Sequence, residues 1–119
     1  MKRERQVSVR RCENVPIIEF SGDLSDAIEN ELLSAYREVG LAGPLRILLV
    51  FDEDGTIYSS GIAVIIGLIR EATPQGHTLY ATGLSEHQSE VFELTGLTEF
   101  VQIFGSEEEA IARAQAEGN

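Results

Sequence analysis

The stretch LRILLVFDEDGTIYSSGIAVIIGLI, residues 45–69, sets two apolar runs on either side of a polar break. The first, Leu45 to Phe51, has strand length and is interrupted only by Arg46, the pattern of a strand covered on both faces. The second, from Ser60 to about Ala72, is too long for a strand and apolar nearly all round. It turns polar only at Arg70 and Glu71, so it reads as a helix buried against a sheet. A buried strand followed at once by a buried helix is the βα unit of an α/β protein.

Working outward, Val7–Arg11 and Val15–Phe20 are short β-prone runs separated by CEN, which predicts a hairpin, with Pro16 at a strand start or an edge. After SGD, Ser25 is placed to cap a helix and Asp26 to sit in its first turn. Ile28, Leu32, Ala35, Tyr36 and Val39 then recur at helical spacing until Gly40. Beyond residue 72, ATPQGH supplies a turn and TLYATG a strand in which Leu79 and Ala81 share a face. Ser85 and Gln88 have capping-box spacing ahead of Val91, Phe92 and Leu94, predicting a helix to about Thr95 that stops at Gly96. FVQIF is a last strand. Ser106 and Glu109 repeat the capping-box spacing, and Glu107, Glu108 and Glu109 put negative charge where a helix N-terminus favours it. The order β-β-α-β-α-β-α-β-α predicts one α/β domain. An N-terminal β-hairpin is followed by βα units, in a mixed, mostly parallel sheet of four to five strands packed with about four helices.

A chain of 119 residues suffices for one core without disulfides or metal. The single cysteine, Cys12, has no partner for an internal bridge, and MKRERQVSVR is followed by no apolar leader region, so a cytoplasmic protein is expected. No apolar stretch approaches the roughly 20 residues of a membrane span. The formal net charge is -11, with Lys2, Arg3, Arg5, Arg10 and Arg11 crowded at the start. Residues 1–6 are read as a basic arm, 7–116 as the domain and 117–119 as a tail. Nucleic-acid binding needs clustered cations, so the acidic body argues against it, and the arm reads as a solvated terminus.

Ser59 and Ser60 stand where a helix cap belongs, which alone would explain Ser60. Gly61 allows either a tight entry into the helix or room for a partner's backbone. Asp52, Glu53 and Asp54 lack the glycine-spaced pattern of a calcium loop and read as a solvated turn. Asp23 is either a loop acid near a helix start or a partner contact. An enzyme is not expected. Neither serine has the Gly-x-Ser-x-Gly elbow, and His77 and His87 fall where a solvent-exposed histidine is ordinary. Cys12, His77 and His87 have no zinc spacing, and GLAGPLR lacks the Lys-Ser/Thr of a phosphate loop, so no metal or cofactor is expected.

The element order, with IIEFSGDLSDAIENELLSAY near the start, ILLVF and IYSSGIAVIIGLI in the middle and ELTGLTEFVQIFGSEEEAIA at the end, resembles the STAS domain of bacterial anti-sigma-factor antagonists over roughly residues 7–116. The resemblance implies a partner-switching regulator that binds an anti-sigma factor serine kinase and is switched by phosphorylation of a serine, with a PP2C-type phosphatase as a further partner. The family motif Asp-Ser-Ser-Gly followed by Leu or Ile matches Tyr58, Ser59, Ser60, Gly61 and Ile62. The resemblance makes Ser59 the phosphorylation site and those residues, with Asp23, the partner-binding set. Tyr58 stands where the family most often has Asp. A non-switching STAS module, serving as a scaffold or as a cytoplasmic subunit of a transport or stress-signalling assembly, is the alternative.

Overall fold

The first hairpin turns through Glu13 and Asn14, both with positive φ (51° and 71°), so that Cys12 faces Val15. This two-residue turn of type I′ hand replaces the three-residue CEN loop expected from sequence, because a turn of that hand matches the twist of the paired strands. The computed structural model describes residues 6–40 and 45–118. Lys2, Arg3 and Arg5 of the basic arm, residues 41–44 of GLAGPLR and Asn119 lie outside the described residues.

The strands are β1 (Val7–Cys12), β2 (Val15–Phe20), β3 (Arg46–Val50), β4 (Thr78–Thr82) and β5 (Val101–Ile103), and the helices are α1 (Glu29–Gly40), α2 (Ser59–Ala72), α3 (Glu86–Leu94) and α4 (Glu107–Gly118). The sheet runs in sequence order, β1 antiparallel to β2 and every later neighbour parallel. Pro16, the second residue of β2, precedes the pairing with β3 that begins at Ile17, so its missing N–H interrupts no ladder on that side. Single 3-10 turns lead into α1 (Asp26–Ile28) and follow α2 (Thr73–Gln75) and α3 (Leu97–Glu99).

Alternate residues of each strand serve two cores. Ile18, Ile47, Leu49, Leu79 and Ala81 face α1, α2 and Phe92 of α3, while Ile17, Leu48 and Tyr80 face Ala110, Ile111 and Ala114 of α4. Ile47, Leu48 and Leu49 are fully buried, as the nearly unbroken apolar run in β3 required, and Tyr80 and Ala81 of β4 beside them are buried too. Phe51 joins β3 to the larger core, stacked on Phe20 at 4.9 Å and edge-on to Phe92 at 5.5 Å.

The smaller core is closed by polar contacts. Arg10 of β1 reaches Glu19 at 3.0 Å and grips Glu107 through both terminal guanidinium nitrogens, at 2.6 and 2.9 Å, fixing the start of α4 to the sheet. At the other end Tyr80 Oη donates to the Glu117 carboxylate and Arg46 Nη2 to the Glu117 carbonyl at 2.5 Å. Burial, followed by the carboxylate, pushes the Tyr80 phenol up to about 12.

His77 corrects the sequence reading. It is only 7 % exposed, with Nδ1 2.6 Å from the Tyr36 hydroxyl of α1. Gly76, at φ 77°, ends the turn after α2, and the imidazole packs against the end of α1, a burial set by the contact with Tyr36, 41 residues away, which the local sequence does not show. His87 is exposed, as expected.

Ile65 is fully buried and its neighbour Ile66 is exposed. Ile65→Asp should therefore cost more than about 4 kcal/mol and abolish the cooperative thermal transition, whereas Ile66→Asp should shift the midpoint by no more than a surface change does. Thermal denaturation of both variants followed by circular dichroism checks the pair. An Ile65→Asp protein melting with the wild type would contradict the packing of α2.

Candidate functional site

At the carboxyl ends of β2, β3 and β4, where an α/β sheet commonly presents its site, the loops 21–25 and 51–58 are joined backbone to backbone. Leu24 N–H donates to the Thr56 carbonyl at 2.9 Å and Tyr58 N–H to the Leu24 carbonyl at 3.0 Å, forming a short parallel bridge between Leu24 and Ile57. Two carboxylates complete the join. Asp23 Oδ1 accepts from Thr56 N–H at 2.8 Å. Asp52 accepts from Gly22 N–H at 2.8 Å through Oδ2 and from Asp54 N–H at 3.0 Å through Oδ1.

These contacts decide how α2 begins. The bridge holds the chain extended through Tyr58 (φ -88°, ψ 160°), so the helix starts immediately afterwards with Ser59 and Ser60 inside its first turn. The N-cap is Tyr58, which gives no side-chain cap bond, so the serine cap expected from sequence does not form on α2. Ser60 Oγ instead accepts from Asp26 N–H at 3.2 Å, satisfying a donor at the start of the neighbouring helical segment, while Ser25 Oγ accepts from Ala27 N–H. Ser59 is exposed, and among the described residues its hydroxyl has no hydrogen-bond partner. Its position in the first turn of a 14-residue helix points the positive end of the helix dipole at whatever the hydroxyl carries.

Gly61 is buried against its own chain. A Cβ there would lie 2.2 Å from the Leu24 carbonyl oxygen, so the space the glycine opens is filled by the Leu24 backbone. Gly55 performs the same service for the Gly22 carbonyl, which a Cβ would approach to 2.1 Å. Tyr58 is 49 % exposed, Ile62 is partly buried, and Asp23 is exposed despite its bond to Thr56. Tyr58, Ser59 and Asp23 thus share one solvent-facing rim, while Gly61 lies beneath it.

The residue that sequence reasoning missed is Gln88. Its carbonyl oxygen completes the capping box by accepting from Ser85 N–H at 2.9 Å, as the spacing predicted. Its amide nitrogen also crosses to the Asp52 carbonyl at 3.0 Å and the Gly55 carbonyl at 2.6 Å, and the side chain is 4 % exposed. Gln88 therefore locks α3 to the acidic loop, a role without a local signal. Asp52 is a structural acceptor and not merely a solvated turn residue. Its two backbone N–H bonds hold its carboxyl below the usual carboxylate range. Among the described residues no cluster of three His, Cys, Asp or Glu is placed to hold a metal ion.

The family profile described as STAS domain matches residues 6–110. Comparison with curated proteins gives no match. Among solved structures, a candidate anti-sigma factor antagonist from Thermotoga maritima is similar with a TM-score of 0.77 and 20 % identity over 92 % of this chain and 94 % of that one. The anti-sigma factor antagonist SpoIIAA in its unphosphorylated form gives 0.66 and 19 %, covering 92 % and 96 %. The Bacillus cell fate determinant SpoIIAA in the phosphorylated form gives 0.59 and 19 %, covering 90 % and 97 %. At these identities the likeness establishes the fold: the five-stranded mixed sheet and four helices described above.

Two outcomes are expected of the loop junction. Gly61→Ala should destabilise the domain by about 2 kcal/mol or more in urea unfolding, since the Leu24 backbone cannot yield without breaking its two bridge bonds. A variant as stable as wild type would show that the junction is soft. Because the folded-state pKa of Asp52 is depressed, its contribution is fully present above the unfolded value and is lost as pH falls through the folded one. The Gly22 and Asp54 amide resonances should accordingly titrate together with a midpoint below the ordinary aspartate value. Separate transitions, or one above that value, would contradict the shared carboxylate.

Proposed function

Because the chain belongs to the STAS domain family, we propose that it is an anti-sigma-factor antagonist that binds an anti-sigma factor serine kinase and is released by phosphorylation of Ser59. The observation that carries this reading is the exposed Ser59 hydroxyl, without a partner among the described residues, at the start of a helix whose inner face, Val64, Ile65, Leu68 and Ile69, is packed in the core. A kinase can reach it without unfolding α2. The γ-phosphoryl of the kinase's ATP passes to Ser59 Oγ, the hydroxyl proton is lost and ADP leaves. The product adds about -1.5 to -2 charge beside helix N–H groups that favour an anion, so the helix survives and the change is read on the surface. There the new charge joins Asp23, Asp52, Glu53 and Asp54, and a partner matched to the unmodified rim would meet a desolvation cost and any acidic surface a repulsion.

The partner-binding set follows from the same rim. Tyr58 offers an aromatic ring and Ile62 an apolar edge beside Ser59. Asp23 and Ser60 hold the loops in shape while exposing their remaining polar valence, and Gly61 sets the depth at which the rim sits. A PP2C-type phosphatase would reverse the modification by hydrolysing the phosphoserine. The protein works in the cytoplasm in this reading, and none of its described helices is long and apolar enough to cross a membrane.

Tyr58, in the place of the usual Asp, favours one other reading, a STAS scaffold that binds constitutively within a transport or stress-signalling assembly. The test is phosphorylation by the kinase that co-purifies from native extract. One phosphate should map to Ser59, vanish in Ser59→Ala, and weaken kinase binding at least about tenfold. Tyr58→Asp should speed the modification if the tyrosine slows it. Phosphate on Ser60 or Thr56, or an affinity indifferent to modification at Ser59, would favour the scaffold.

A further inference from the structure

A second feature lies away from this rim, between the C-terminal half of α2 and the corner joining α3 to β5. A groove of about 460 Å³ is floored by Ile66, Ile69, Leu97 and Phe100. Ile66 is 36 % and Phe100 56 % exposed, so two large apolar side chains open to solvent meet across one trough. The groove is also short of polar valence. The hydroxyls of Thr73 and Thr95, which line it, are turned back to the Ile69 and Val91 carbonyls, each at 2.8 Å, and are spent within their own helical segments. Among the described residues its one charged lining residue is Arg70. The adjacent Glu71 is engaged elsewhere, by Arg37 at 2.8 Å, and among the described residues Arg70 forms no ion pair.

An apolar trough of ligand-pocket size with the Arg70 cation on its rim fits an apolar chain ending in an anion. We propose that this groove binds a medium-chain fatty carboxylate, the alkyl chain lying along Ile66, Leu97 and Phe100 and the carboxylate meeting Arg70. The sign of the head group is specific to this place. A body of net charge -11 repels anions and attracts cations in general, so preference for a carboxylate over an ammonium requires the local Arg70 contact. Arg70 is eleven residues along α2 from Ser59, about 16 Å at helical rise, so the groove lies outside the proposed switch and does not depend on it.

The test is titration of the full chain with dodecanoate below its critical micelle concentration, followed by methyl and aromatic NMR shifts, with dodecyltrimethylammonium and dodecanol as head-group controls. Saturable shifts confined to Ile66, Ile69, Leu97 and Phe100 are expected, with dodecanoate binding more tightly than dodecyltrimethylammonium. Arg70→Gln should weaken dodecanoate about fivefold to tenfold and leave dodecanol unchanged. Ile66→Asp, at an exposed position that leaves the fold intact, should abolish both. Equal binding of the two charged amphiphiles, indifference to Arg70→Gln, or no saturable shift at these residues would overturn the proposal and leave the groove to a protein partner.

Discussion

Leu24 uses its backbone in both directions at the junction of the two loops. Its N–H goes to Thr56, its carbonyl receives Tyr58, and the same carbonyl lies over the α-carbon of Gly61. A residue with a side chain at position 61 would force the loops apart, and the bridge that keeps Tyr58 extended would open. The start of α2, the exposure of Ser59 and the alternative use of Ser60 as an acceptor for Asp26 all depend on that approach. Backbone contacts of this kind are short and cannot relax by changing rotamer, so they set geometry more firmly than a side-chain network of equal size.

The acidic character of the chain is partly a structural device. Asp23, Asp52 and Glu107 each accept from a specific donor: loop N–H groups in the first two cases and the Arg10 guanidinium in the third. The loops at the carboxyl ends of the strands therefore carry negative charge for internal reasons before any partner is considered. A modification that adds charge to this rim acts against a potential that the fold itself has built.

The two cores divide the labour unequally. The larger one, under α1, α2 and α3, includes Phe51 and Phe92, which flank the loop that Gln88 holds, so the site is braced from below by aromatic packing and from the side by a buried amide. To the smaller core α4 contributes only two alanines and one isoleucine, and polar contacts of Arg10, Arg46 and Tyr80 tie down its ends. Exposed polar pairs contribute little individually, so these contacts orient α4 while the buried Ala110, Ile111 and Ala114 hold it on the sheet.

Periodicity and local chemistry determined the elements. The apolar run of β3, the all-round apolarity of α2, the Ser85–Gln88 box and the stops at Gly40 and Gly96 are properties of a few adjacent residues, and short-range sterics and hydrogen bonding act at that range. The motif Ser59-Ser60-Gly61 was legible in the same way, as a pair of hydroxyls opening a helix. What the local sequence could not contain was the partner of each group. Nothing near Ser60 announces Asp26, 34 positions away, nothing near Gln88 announces Asp52 or Gly55, and nothing near His77 announces Tyr36. Tertiary structure alone decided that the serines do not cap α2, that Gly61 yields to Leu24 and that a histidine at the mouth of a strand is buried. Each outcome follows from a contact between segments distant in the chain, where packing and the satisfaction of buried polar groups override what a residue does in isolation.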